Sequence, residues 1–276
     1  MNTLIGYGKN LMVMKSDEYK IYLRKRKLYL IFTYITQIVI LISFIFLWEY
    51  LSRKNIINSF IYSSPVKVVK TIIGLYNKGT LFKHIWVTNY ETIISFLLAT
   101  LLGTVIAIIL WYSKFLYRVM EPYLTVLNSL PKVSLGPIII ILCGANIKSI
   151  IIMALLISLI ITITSVHSGF INTDKNMIKL MNSLRASKWQ ILKLLIIPYN
   201  YHVIISSLKI NVGLSLVGVI MGEFLVSKNG IGYLINYGSQ VFNLDLVFAG
   251  IVILLIVSYL LYLIVLYIER ALTVKS

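Results

Sequence analysis

The sequence predicts an all-α integral membrane protein with six transmembrane helices and a cytoplasmic loop of two short helices. Three observations predict it. Hydrophobic residues make up 59% of the 276 residues and charged residues 13%, against about 45–50% and about 25% in soluble domains. The apolar residues gather into runs long enough to cross a bilayer, which takes roughly 20 residues of helix, and mean hydropathy is +0.89. The 26 Lys and Arg, opposed by 9 Asp and Glu for a net charge of +17, flank those runs as topology signals do. They form no basic stripe interleaved with aromatics, so nucleic acid is not the expected partner.

Residues 1–27 are polar and end in Arg24-Lys25-Arg26-Lys27; they read as a cytoplasmic N-terminal segment ahead of a single transmembrane domain, 28–276. The apolar stretch that follows is too long for the core of a cleavable signal. Spans are expected at 28–51, 86–112, 119–143, 148–169, 203–226 and 246–268. Pro131, Lys132 and Pro137 make the third kinked or interrupted, which a membrane tolerates only where protein or water surrounds the freed backbone. Between the first two spans, Ser64-Pro65 reads as a helix start. Val66, Val69, Ile72, Ile73 and Tyr76 follow at helical spacing, as in a short amphipathic helix on the outer surface. Segments 1–27, 113–118, 170–202 and 269–276 hold sixteen Lys and Arg against seven in the opposite loops. That excess orients both termini to the cytosol.

Catalytic signatures are absent: there is no H-E-x-x-H, G-x-S-x-G or C-x-x-C. His84, His167 and His202 are dispersed, so no metal site is expected, and the single Cys143 excludes an intrachain disulfide. Gly144-Ala145-Asn146-Ile147-Lys148-Ser149 lacks the glycine before lysine that a phosphate loop needs. The chain is therefore expected to hold no cofactor, to have no catalytic residues and not to hydrolyse ATP.

Segment 174–198 carries the sharper signal. Asp174 can cap a helix starting at Lys175. Met177, Leu180, Met181 and Leu184 then share one face. After a break near Ala186-Ser187, Trp189, Leu192, Leu195 and Ile196 define a second apolar face up to Pro198. Two short helices meeting at an angle make a knob that a partner's groove can grip; an interfacial helix with Lys188 and Lys193 at the headgroups has the same pattern.

This loop resembles the cytoplasmic loop of binding-protein-dependent ABC transporter permeases, whose pattern is E-A-A, three residues, G, nine residues, then I-x-L-P. Leu184, Ala186, Ser187, Trp189 and Gln190 match the L-G-A-S-x-W-Q version of the sulfonate, nitrate and taurine branch. Pro198 falls thirteen residues after the glycine position. Met221-Gly222-Glu223 followed by Gly230-Ile231-Gly232-Tyr233-Leu234, then Asp245, Ala249-Gly250 and Glu269-Arg270, continue the likeness over about 60–271, with Ser64-Pro65, Pro131 and Pro137 also at family positions. This chain departs from the pattern in carrying Lys179-Leu180-Met181 at the E-A-A and Arg185 at the glycine, a residue that tolerates glycine's conformations poorly.

The resemblance implies the type I fold of an ABC importer permease in a bacterial cell membrane. Its implied partners are cytosolic ATPase subunits carrying ATP and magnesium, a second permease copy (identical or related), an extracellular substrate-binding lipoprotein and the lipid bilayer. It implies that Leu184, Arg185, Ala186, Ser187, Lys188, Trp189, Gln190 and Pro198 couple to the ATPase. Small anions such as sulfonates, taurine or nitrate, or vitamin precursors, are the implied cargo. Candidate path residues are Glu223, near the outer end of the fifth span, and Lys132 after Pro131. The alternative expectations are Glu223 at the interface or bonded to Lys228, and Lys132 at the headgroups. Gly218 and Gly222 are candidate path residues as well; with Gly213 they permit close helix approach, the alternative being a gate of that helix against its copy in the dimer. Lys209 and His202 are expected at the cytoplasmic start of that span, and Thr88, Asn89 and Glu91 at an outer helix end. The competing readings are a degenerate or non-transporting scaffold and a secondary transporter. The scarcity of intramembrane acids and the lack of a repeated half argue against the latter.

Overall fold

The computed structural model describes residues 2–273, with side chains from Tyr19 onward except those of Arg270, Leu272 and Thr273. The chain divides into two compact units, 1–66 and 67–276.

In the first unit, α1 runs unbroken over Asn2–Arg53, so the polar segment 1–27 continues into the first span as one helix. Its end is explicit. Asn55 takes φ 54°, its N–H donates to Ser52 O at 3.1 Å, and Ile56 N–H donates to Leu51 O at 3.1 Å. This is the left-handed stop that Asn accepts readily. A single turn, α2 (Ser59–Tyr62), is tied back to α1 by Trp48 Nε1, which donates to Tyr62 O at 3.1 Å. Ser52 Oγ donates to Ser63 O at 3.1 Å.

The second unit begins in α3 (Pro65–Asn77), the amphipathic helix expected from the sequence, but its packed face differs. Val68 is buried, with Ile72 and Leu75 against the core, while Val69, Ile73 and Tyr76 are exposed. α4 spans Leu81–Tyr112. It therefore starts five residues earlier than predicted, and Thr88, Asn89 and Glu91 lie well inside the helix and not at its end. α5 (Lys114–Ser129) stops where Leu130, ahead of Pro131, is forced extended at ψ 137°. A 3₁₀ turn, Lys132–Leu135, leads into α6 (Gly136–Cys143), whose Pro137 sits in the first turn where no N–H is missed. The two halves are bent by 94°, so the third span is broken at the predicted prolines.

α7 (Ile147–Ile171) starts at Asn146, whose Oδ1 accepts Lys148 N–H at 2.8 Å; the glycine-containing stretch before it is a helix-capping turn. The loop between α7 and the helix that starts at Tyr201 holds α8 (Lys175–Ser183), α9 (Lys188–Ile191), a π turn over Leu192–Ile196, and α10 (Ile197–Tyr199). Then come α11 (Tyr201–Val226), the short α12 (Ile231–Gln240) and α13 (Leu244–Thr273). Among the described residues, five helices are long and apolar enough to cross a membrane, six if the bent pair counts as one.

α4, α7 and α11 form the packed centre. A Cβ on Gly218 would stand 2.5 Å from Ala154 Cα, and one on Gly222 2.9 Å from Ile150 Cγ2. Those two glycines let α11 press against α7, where lipid removes any hydrophobic drive between helices. Gly213 has nothing within 4 Å of its Cβ position and takes no part. Polar side chains join the same three helices. The Asn211 amide donates to Thr100 Oγ1 at 2.8 Å and pairs with Thr162 Oγ1, and Ser158 and Ser215 hydroxyls meet at 2.8 Å.

Candidate functional site

The loop between α7 and α11 is built by local hydrogen-bond chemistry. Asp174 Oδ1 accepts Asn176 N–H at 2.8 Å, capping α8. α8 ends in a Schellman turn: Arg185 N–H donates to Asn182 O at 2.9 Å and Ala186 N–H to Met181 O at 3.0 Å. The residue that must turn left-handed there is Arg185, at φ 55°. Ser187 then opens α9 with a capping box. Its N–H donates to Gln190 Oε1 at 2.7 Å, and its Oγ accepts Gln190 N–H at 3.3 Å. Lys188 Nζ lies 5.7 Å from the centre of the Tyr112 ring, a cation–π distance.

The apolar residues divide between root and tip. Ile191, Leu192 and Ile196 are buried with Ala107 of α4 and Val166 and Phe170 of α7, and Ile178, Met181, Ala186 and Leu195 pack against them. Met177, Leu180, Leu184 and Trp189 face outward, Leu184 at 69% and Trp189 at 58% exposure. The two faces expected from the sequence are thus each split: one part anchors the loop and the other is presented. Pro198 is exposed in α10. Next to it, Asn200 is buried and closes the loop, its amide donating to Thr173 Oγ1 at 2.7 Å and to Ile196 O at 2.9 Å. Sequence reading missed Thr173 and Asn200; their position at the two ends of the loop was the available signal.

At the other end of α11, Glu223 is buried. Its Oε1 accepts Thr88 Oγ1–H at 2.6 Å and its Oε2 accepts Gly232 N–H at 2.5 Å. Thr88 Oγ1 in turn accepts Ile231 N–H at 2.8 Å, and His84 Nδ1 accepts Gly230 N–H at 3.0 Å. The orphan N–H groups at the start of α12 are therefore satisfied by α4 and α11 side chains. Gly230 sits at φ 111° with the Glu223 carboxylate where a Cβ would be; no other residue fits. Tyr233 stacks on His84 at 5.9 Å. Glu223 is bound to this latch, and its hydrogen bonds run to Thr88 and Gly232 in place of the alternative partner Lys228. His84 was missed because its helix was expected to begin at 86, and Thr88 was read only as part of an outer helix end.

Of the other predicted path residues, Gly218 and Gly222 lie on α11 within two turns of Glu223, and Lys132 lies in the break of the third span. Lys132 is exposed, donating through Nζ to Asn128 O at 2.8 Å, and it closes the open end of α5. Gly218 and Gly222 face α7. Lys209 forms an ion pair with Glu269 at 2.6 Å, joining α11 to α13. Between α5 and α7 lies a cavity of about 180 Å³ lined by Tyr117, Glu121, Thr125, Thr164, His167 and Ser168 among others, with the Tyr117 and His167 rings 4.1 Å apart.

A bundle of membrane-spanning helices with a protruding two-helix knob defines a polytopic membrane subunit. The chain belongs to the family of binding-protein-dependent transport system inner membrane components, whose profile matches residues 99–274; it is an ABC transporter permease, a transport component and not an enzyme. It is similar to the formylaminopyrimidine transport permease protein ThiX of Halalkalibacterium halodurans, 25% identical over 78% of this chain and 85% of that one. It is also similar to the taurine transport system permease protein TauC of Escherichia coli, 22% identical over 82% and 84%. Among solved structures, an inward-facing MetNI methionine ABC transporter matches with TM-score 0.62 and 18% identity, covering 70% of this chain and 95% of that one, a likeness of fold.

Proposed function

We propose that this permease works as a dimer in the cell membrane and is driven by a separate cytosolic ATPase that grips the loop 174–198. The observation that supports this most is the exposed apolar set Met177, Leu180, Leu184 and Trp189, standing on a root packed into the ends of α4 and α7. Force applied to the tip passes through that root toward the ends of two spanning helices. Leu184 to Gln190 make the contact and Pro198 ends the segment. ATP and magnesium stay on the ATPase, an extracellular binding protein supplies the cargo, and alternating access follows from rocking of the helices. Both termini are cytosolic, as the loop charges argue. The cargo is a small anion of the taurine kind or a vitamin precursor of the aminopyrimidine kind, in line with what the relatives' names say of those proteins. A substrate path over Glu223, Lys132, Gly218 and Gly222 remains part of this reading, and the cavity of mixed lining between α5 and α7 is a further candidate wall for it. The departures at Lys179 and Arg185 keep a second reading in view, that of the degenerate half of a permease pair.

The test is affinity purification of the tagged chain from native membranes with subunit counting, together with Trp189→Ala. The expected outcome is co-purification of an ABC ATPase with one permease species, and loss of ATPase binding and uptake in the variant with membrane insertion unchanged. Recovery with a second permease assigns the degenerate half. Recovery without any ATPase overturns the reading.

A further inference from the structure

Glu223 has a neighbour that the latch does not use. Glu91, on the next turn of α4 after Thr88, is wholly buried, and its carboxyl lies within hydrogen-bonding reach of the Glu223 carboxyl. Neither Glu91 oxygen has a hydrogen-bond donor. Among the described residues neither acid is in an ion pair, and the one charged group acting on Glu91 is Glu223. The surroundings offer no compensation. From α4, His84 has its Nδ1 occupied by Gly230 N–H. α12 contributes Tyr233 and the Gly232 N–H; α7 presents Ile150 and Ala154 along the adjoining stretch of α11. Two bare carboxylates sealed together in a membrane protein cannot both be left uncompensated. Glu223 is already served by Thr88 and Gly232, so the deficit falls on Glu91.

We infer that the Glu91–Glu223 pair binds one monovalent positive charge from solution, a proton or a sodium-like ion, and that this charge keeps the α12 latch closed. A proton supplies the donor that is missing, with Glu91 O–H bonding to Glu223. A small monovalent cation does so through an all-oxygen set, the two carboxyls with Thr88 Oγ1, as hard cations prefer. Without the charge the carboxylates repel, and Glu223 is pushed off the N–H of Gly232 and the hydroxyl of Thr88 that seat α12.

The experiment is thermal unfolding of the full-length chain purified in detergent, between about pH 5 and pH 9, in sodium chloride and in choline chloride. Wild type is compared with Glu91→Gln, which keeps the shape and an N–H donor, and with Glu91→Leu, which removes the charge with a side chain free of polar atoms. If a proton is held, the wild-type midpoint falls by about 2–4 °C or more as pH rises and the variants lose that slope. If an ion is held, the wild-type midpoint is higher in sodium than in choline and the variants show no difference. Parallel curves in both salts, or a wild type insensitive to both pH and sodium should the variants fail to fold, overturn the inference.

Discussion

Arg185 shows how a residue can break a pattern and still hold its conformation. It occupies the left-handed position that ends α8, and both Schellman hydrogen bonds form around it. A side chain costs about 1–2 kcal/mol there, while glycine gives back roughly 0.5–1 kcal/mol through its freer unfolded chain. Arg185→Gly should therefore stabilise the loop by about 0.5–1 kcal/mol, read as slower hydrogen exchange across 182–187. Faster exchange would mean that the Arg185 side chain secures the turn through contacts of its own. The position was legible in the sequence because the spacing to Pro198 marked it. That the turn forms there in spite of arginine was not, since backbone hydrogen bonds leave no trace in residue identity. Gly230 is the opposite case, with both a φ of 111° and the Glu223 carboxylate in the place of a Cβ. Gly230→Ala should cost about 2 kcal/mol or more, lowering the unfolding midpoint of the purified chain; an unaltered midpoint would show that the Glu223 latch contributes nothing to stability.

Among whole elements, the spans were legible because apolar length is a property of composition, and the break in the third because proline cannot continue a helix. What escaped was which side of each helix meets another. In α3 the buried row is Val68, Ile72 and Leu75, a register that the even spread of valine and isoleucine over 66–73 does not single out. At the end of α8, Met181 turns inward and Leu184, just past the helix, outward, although both are apolar, because docking onto α4 and α7 uses only half of the apolar arc. The start of α4 was placed late since His84 and Lys83 read as loop, whereas His84 is buried and accepts the Gly230 N–H. Small residues on α11 were legible as a set and differ in use. Gly218→Ala should cost about 1–3 kcal/mol, because its Cβ meets the Ala154 backbone at 2.5 Å. Gly213→Ala, with nothing near, should gain about 0.5–1 kcal/mol from helix propensity. Thermal midpoints of the two variants moving in opposite directions would confirm that α7 and α11 cross at Gly218; equal shifts would count against that crossing.

Across the whole molecule, orientation turns on a single count. Among the described residues, five helices are long and apolar enough to cross, and the bent pair α5–α6 makes a sixth if it is one span. With six crossings both termini lie on one side; with five, a re-entrant α5–α6 would leave them on opposite sides. The charges favour six. Lys114 and Arg118 at the start of α5 lie in a basic connection, while Gly144 and Ala145 after α6 carry none, as expected for two loops on opposite faces. The bend itself does not argue for re-entry, because Leu130 and Pro131 account for it locally. Six crossings place the knob 174–198 with the termini, and the turn 227–230 before α12 on the other face. Alkaline phosphatase, which matures only where disulfides form outside the cytosol, should then be inactive when fused after Ser276 and active when fused within 227–230. A C-terminal fusion that is active, with one at 174 inactive, would put the last span in the reverse sense. An active fusion at 174 together with an inactive one after Lys114 would make α5–α6 a re-entrant hairpin, and the knob could then no longer face a cytosolic ATPase.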